Sequence, residues 1–348
     1  MLPIVFDRPA HLSGSGSVIR GNRSGKEKRG CLAKPDRVDY GRPMGAKRYN
    51  QFTEELRALF GCRVQRISVD AGFTCPNRDG TAGSDGCIYC SSRGAGAPGI
   101  ARGRSVAEQL EVDKAFLARR YHAQKFLAYF QAFSNTYGPV EQLQALYDEA
   151  LAVPDIVGLI VGTRPDCLPP AVFDLLAGYA QRTYFWLELG LQSSHDRSLA
   201  WIGRGHDAAS FSAAAREASC RGIRVCAHVI LGLPGESRAE MLATADYLNS
   251  LRVAGVKLHH LHVLKETELA RRYEKGDVAL LNEDDYVGLV CDFLERLAPN
   301  VLVQRLVGDG SRDLIAPRWN KLALLNAIDT ELKRRGTRQG GRWQAGEW

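Results

Sequence analysis

No part of the 348-residue chain contains a run of about 18 apolar residues, the length a membrane-crossing helix needs. The N-terminus lacks the apolar stretch of a signal peptide. Cysteine is sparse: nine residues are too few for a disulfide scaffold in a chain this long. Together these absences speak against a membrane span and a disulfide-knit secreted domain, and point to a reducing, cytoplasmic setting. What is present is 45% hydrophobic, enough for one large domain or two modest ones. The net charge of +7 permits a nucleic-acid partner without requiring one.

Three of the cysteines share one stretch. Cys75, Cys87 and Cys90 are spaced Cys-x11-Cys-x2-Cys, and Pro76, Asn77, Asp79, Gly80, Gly83, Asp85 and Gly86 lie among them. Those are turn formers, so the segment reads as a loop that points three thiolates inward. A closed zinc site takes four ligands, and the next histidine, His122, is well beyond the loop. Three thiolates suit a four-iron cluster better, because they leave one iron open. A non-enzymatic zinc-binding protein is the alternative. Cys31, Cys62, Cys167, Cys220, Cys226 and Cys291 have no ligand-like spacing and read as buried free thiols.

Residues 1–45 are rich in Gly, Ser, Lys and Arg without apolar periodicity. They read as a disordered basic extension, with Met44 as an alternative start and a basic arm for RNA as the functional alternative. A short helix is expected over 49–60. Strands are then expected over 64–70, 125–133, 156–162, 183–192, 223–232 and 256–264. Helices between them are expected over 105–120, from Pro139 through Ala150, and over 170–180, 208–221 and 237–251. Ser105 and Glu108 have capping-box spacing. Six such repeats imply a parallel sheet with helices outside, an incomplete α/β barrel spanning 46–265. A helix over 284–297, a strand over 301–307 and a helix over 321–335 read as a C-terminal α/β extension, 266–336, with a flexible tail from 337.

Alternation on two strands assigns lumen positions. Glu188, Gly190 and Gln192 share one face of their strand, and Arg224, Cys226 and His228 share one face of the next. Polar groups in a lumen need partners; a charged cofactor is one, and a structural ion pair is the other for Glu188. Gly232 and Gly235 allow backbone to approach the barrel mouth. His260 and His262 share a face, but without carboxylate or Cys company they are not expected to hold a metal.

The cysteine loop resembles the cluster motif of the radical S-adenosylmethionine (SAM) superfamily, and its long first gap is like that of the Elongator catalytic subunit. Residues 66–80 are similar to a bacterial group related to Elongator, and the likeness runs from about Arg48 to Lys333. This resemblance implies a partial (β/α)6 barrel and a [4Fe-4S] cluster on Cys75, Cys87 and Cys90, with SAM chelating the open iron. It implies reductive cleavage of SAM to a 5′-deoxyadenosyl radical that abstracts hydrogen from a substrate, with a reductant protein such as flavodoxin or ferredoxin. It places Glu188 and Gln192 near the methionyl and ribose groups, Arg204 at the carboxylate, Tyr89 and the Gly232 turn at adenine, and His228 at SAM or substrate. Gln131 or Ser134 stands where many members have a Gly-rich segment. Arg164 would bind phosphate or carboxylate, or pair with Asp166. Elongator modifies the tRNA wobble uridine, so a tRNA substrate is expected, with Lys333, Arg334 and Arg335 meeting phosphates; a charged helix end is the alternative there. A small metabolite or peptide is the other substrate class.

Overall fold

The computed structural model describes residues 47–91, 94, 103–310 and 312–344. The basic extension, Met44 and Cys31 lie outside them. The chain runs α1 (Phe52–Phe60), β1 (Val64–Val69), α2 (Val106–Tyr121), β2 (Lys125–Phe130), α3 (Val140–Ala152), β3 (Ile156–Thr163), α4 (Pro170–Arg182) and β4 (Tyr184–Gln192). It continues with α5 (Asp196–Trp201), α6 (Ala208–Cys220), β5 (Val225–Leu231), α7 (Arg238–Ser250), β6 (Gly255–His260), β7 (Val263–Leu264) and α8 (Glu268–Glu274). Last come α9 (Glu283–Arg296), β8 (Leu302–Arg305), β9 (Leu314–Ala316) and α10 (Lys321–Arg334). Ser105 and Glu108 make a reciprocal capping box on α2, as do Ser237 and Glu240 on α7.

Seven strands form one parallel sheet in the order β1-β2-β3-β4-β5-β6-β8. It curls into a half-barrel. Alternate residues separate two cores. Ile67, Phe130, Leu159, Leu187, Val229 and Leu258 pack outward against the helices. Val64, Leu127, Ile160, Trp186, Cys226 and Leu302 face inward. There they meet Phe52 and Leu56 of α1, which plug the end of the barrel where the strands begin. Backbone joins this plug to the far edge: Val303 N–H donates to Asn50 O at 2.8 Å.

Three expectations change. The strand expected over 301–307 is no appendage; β8 pairs with β6 and is the barrel's seventh strand. The strand expected over 256–264 splits, because β7 leaves the sheet and pairs antiparallel with β9. The tail is also tied down as far as Trp343. Gln339 is buried; its Nε2 donates to Ala298 O and Val301 O, and its Oε1 accepts from Asn50 N–H. Among the six other cysteines, Cys167, Cys226 and Cys291 are buried free thiols and Cys62 is half-buried. Cys220, at the exposed end of α6, is instead disulfide-bonded. Among the described residues no helix is long and apolar enough to cross a membrane.

Candidate active site

The cysteine loop leaves the C-terminal end of β1, the end where parallel α/β barrels carry their chemistry. Gln109 of α2 fixes the exit: its Oε1 accepts from Asp70 N–H at 2.9 Å and its Nε2 donates to Asp70 O at 2.8 Å. The loop then folds on its own backbone. Arg78 N–H donates to Cys75 O, Gly86 N–H to Asn77 O, and Cys90 N–H to Cys87 O. It threads between two other segments, with Ile88 N–H bonded to Ile202 O and Leu269 N–H to Ile88 O. Sequence reading took Asn77 only as a turn former and did not single out Gln109 or Arg78; the carbonyls Asn77 holds at Gly203 and Arg204 are distant in the chain.

Cys75, Cys87 and Cys90 are unbridged thiols. A closed zinc site takes four such ligands, and this loop supplies three. Cationic and amide donors surround them. Arg204 Nη1 lies 3.8 Å from Cys87 Sγ and Asn77 Nδ2 3.6 Å from it. Arg78 Nη2 donates to Cys90 O and Ser91 O at 2.9 and 2.7 Å. Burial and then the Cys87 charge push the Cys90 thiol up, and Arg78 opposes them. Arg204, Asn77 and Arg78 favour negative charge on the sulfurs, as on thiolate ligands, while burial opposes it.

Arg204 is buried and sits at the centre of the mouth. Its Nη2 donates to Gly190 O at 2.8 Å, while its Nε is buried with no partner. A Cβ on Gly190 would lie 2.3 Å from Arg204 Nη2 and 2.8 Å from Gln192 Nε2, so the missing side chain admits both. Gln192 has a φ of 76° at a register shift in β4. Tyr89 is half-buried against the hydrophobic cluster that includes Leu199, Ile230 and Val263. Burial, with the Cys87 charge, raises its phenol well above the ordinary value. Gln131 Oε1 accepts from Ser68 Oγ at 3.1 Å. Ser134 N–H donates to Thr74 O, beside Cys75.

Glu188 lies deeper in the lumen and is fully engaged. Lys257 Nζ bonds both its oxygens, His228 Nε2 lies 2.7 Å from Oε2, and Tyr129 donates to Oε2 at 2.7 Å. Burial pushes this carboxyl up, but Lys257, His228 and Arg66 outweigh it and hold it well below its ordinary value. Burial lowers His228 to about 4 and Lys257 to about 8, against the pull of Glu188. Lys257 was not among the expected site residues, although it alternates inward on β6.

Other expected residues are occupied elsewhere. Arg164 makes a two-pronged pair with Asp166, at 2.9 and 2.6 Å, and its Nη1 donates to Arg204 O. Each guanidinium nitrogen thus has a partner within the protein, the pairing with Asp166 being the expected alternative to a phosphate. Gly232 takes a positive φ of 87°, but Leu281 covers the face where its Cβ would stand, and its N–H points to Met241 Sδ. Lys333 pairs with Asp329, Arg334 with Glu331, and Arg335 with Glu331 and Asp292. The end of α10 is thus neutralised within itself and by α9. His259 joins His260 and His262, with their ligand atoms within 4.8 Å of one another. Nε2 of His260 and Nε2 of His262 are 2.7 Å apart, an N–H···N bond that needs no metal.

Parallel half-barrel, cysteine loop and polar lumen place three thiols and a set of buried polar groups at the strand ends of one α/β domain. The chain belongs to the radical SAM superfamily: the model for that family matches residues 75–248, and the Radical_SAM C-terminal domain matches residues 253–334. It is 44% identical over 297 residues to the Bacillus subtilis protein YtqA, covering 84% of this chain and 92% of that one. It is 40% identical over 294 residues to Escherichia coli YhcC, covering 83% and 94%. Human Elongator complex protein 3 is 28% identical over 164 residues, 46% of this chain and 29% of that one. In fold, it matches the archaeal Elp3 of Methanocaldococcus infernus with a TM-score of 0.62 at 16% identity, covering 79% of this chain and 64% of that one. Superfamily membership makes the protein an enzyme that uses SAM and a [4Fe-4S] cluster.

Proposed function

We propose that Cys75, Cys87 and Cys90 hold the cluster, and that Arg204, Gln192 and Tyr89 hold SAM against it. The unpartnered Nε of Arg204, buried beside Cys87, carries this reading. It supplies a fixed cation to a carboxylate chelating at that point. When bound, cluster and SAM supply one-electron cleavage of the sulfonium and a radical that abstracts hydrogen. The chain's own part is to orient and to exclude water. Gly190 leaves the space, Asn77 and Arg78 fix the loop, and the α1 plug closes the far end of the lumen. The Glu188–Lys257 pair supports the lumen wall below SAM rather than contacting it, since its hydrogen-bonding capacity is already used.

The substrate reading is a tRNA nucleoside, supported by the likeness to Elongator complex protein 3; the paired cations of α10 contribute nothing to it. A reductant such as flavodoxin or ferredoxin would deliver the electron. The test is anaerobic reconstitution with iron and sulfide, reduction with dithionite in the presence of SAM, and assay of 5′-deoxyadenosine. The triple Cys75, Cys87, Cys90→Ala variant is the control. Product from the wild type alone supports the assignment. A well-folded protein without cluster or product overturns it. An altered nucleoside profile in tRNA from a deletion strain would support the RNA substrate, and an unchanged profile removes it.

A further inference from the structure

The lumen floor contains more positive charge than the protein neutralises. Among the inward positions of the seven strands, Glu188 is the one acid, and it is taken by Lys257. Arg66 of β1 and Arg305 of β8 both act on Tyr129 and Lys257, and Arg66 acts on Glu188 as well. Arg305 is in register with Lys257 on β6. The Arg66 guanidinium lies 5.9 Å from the centre of the Tyr129 ring and 5.8 Å from that of Phe52. The charge of Arg305 acts on Tyr129, His228, Lys257 and His259.

Among the described residues neither guanidinium has an acidic partner. Arg66 Nη1 and Arg305 Nε are buried without a hydrogen bond. An arginine cannot shed its proton to escape such a site. Both side chains are half-buried, and Glu55 of the α1 plug is engaged with Tyr184 and Arg224 instead; an unpaired cation at such a place is costly unless a ligand compensates it. The inward residues nearer the mouth, Ser68, Gln131, His228 and His259, are half-buried. They are polar and bring no negative charge. The SAM carboxylate does not fill the need under the proposed function, because it is assigned to Arg204 at the mouth. Arg66 is only the third residue of β1, near its start.

We infer that Arg66 and Arg305 form an oxyanion subsite, which holds a carboxylate or phosphate group of the molecule that gives up its hydrogen. Guanidinium forks recognise both groups through paired, charge-assisted bonds. Anchored at the floor, such a molecule presents its C–H bonds toward the mouth. Calling the ligand the substrate rests on the radical SAM reading; the anion site itself does not.

The test is calorimetric titration of anaerobically reconstituted protein with inorganic phosphate, and separately with acetate, at constant ionic strength. Saturable binding of at least one is expected, weakened about tenfold or more by Arg305→Gln and by Arg66→Gln. The exposed, acid-paired Arg334→Gln should bind as the wild type does. Phosphate alone would indicate a phosphorylated substrate, and acetate alone a carboxylate. A second readout guards against misfolding: with no anion present, Arg305→Gln should raise the thermal midpoint, because it removes an unpaired charge. A structural role would lower it. Wild-type protein that binds neither anion overturns the subsite, as does binding that survives Arg305→Gln. If that protein still makes 5′-deoxyadenosine, the enzyme assignment stands; anion binding without the product would do the converse.

Discussion

Asn77 Oδ1 lies 2.2 Å from where a Cβ on Gly205 would stand, so the two residues coexist only while Gly205 has no side chain. The contact matters because Asn77 pins the cluster loop to the β4 side of the barrel. Its Nδ2 donates to Gly203 O and Arg204 O, each at 2.9 Å, and lies near Cys87 Sγ.

Gly205→Ala should therefore displace Asn77 and strain a backbone held at a φ of 75°. A side chain at positive φ costs about 1–3 kcal/mol. Iron and acid-labile sulfide per chain should fall after reconstitution, and urea denaturation should show the lost stability. Full cluster loading at wild-type stability would mean that Asn77 does not set the loop.

Lys257→Met should destabilise the fold by about 3–5 kcal/mol, because it leaves Glu188 buried without its cation. Lys257→Met combined with Glu188→Gln should recover most of that loss, since the amide still accepts from Tyr129 and carries no charge. Urea denaturation of both variants measures it. A loss below about 1 kcal/mol for the single variant would mean that water already screens the pair.

Acid should destabilise the protein through its buried imidazoles. Burial lowers His228 and His262 to about 4 and His260 to about 3. In the unfolded chain each titrates near 6.5. As pH falls below that value the unfolded chain takes up protons that the folded one refuses, so stability declines toward pH 4. Above about 6.5 this contribution is fully present and level. Denaturation midpoints measured from pH 7.5 to 4.5 should show the slope, and His262→Asn should reduce it by about one proton.

Gln339→Ala should cost about 2–3 kcal/mol, since it strips Ala298 O, Val301 O and Asn50 N–H of their buried partner. The same change in a frayed tail would leave urea stability unaltered.

The cysteine loop and the first five strand–helix repeats were legible because each rests on local chemistry. Turn formers surround the thiols, Ser105 and Glu108 cap one helix, and single strands alternate between two cores. The sixth repeat was legible only in part. Periodicity carried a strand through Leu264, but pairing of Leu264 with Leu314 takes that end into another sheet. The seventh strand, Leu302–Arg305, is four residues long and reads as peripheral until β6 offers it an edge. Arg164 and Gly232 were promising by position, yet Asp166 occupies one and Leu281 the other. Asn77 was legible only as a turn former, and Gln109 carried no local signal at all.

By itself, the sequence determined that three thiols sit on one loop at the end of a strand. It also put Glu188 and His228 inward and made the strands parallel. Those outcomes follow from residue spacing and backbone alternation, which act over a few residues. Only the tertiary structure decided which charges meet. Lys257 finds Glu188 across 69 positions, Arg204 reaches Cys87 across 117, and Arg66 and Arg305 both come to act on Tyr129, with neither in an ion pair among the described residues. Coulomb energy depends on separation in space and on burial, and both are set by how the sheet curls rather than by where the residues stand in the chain.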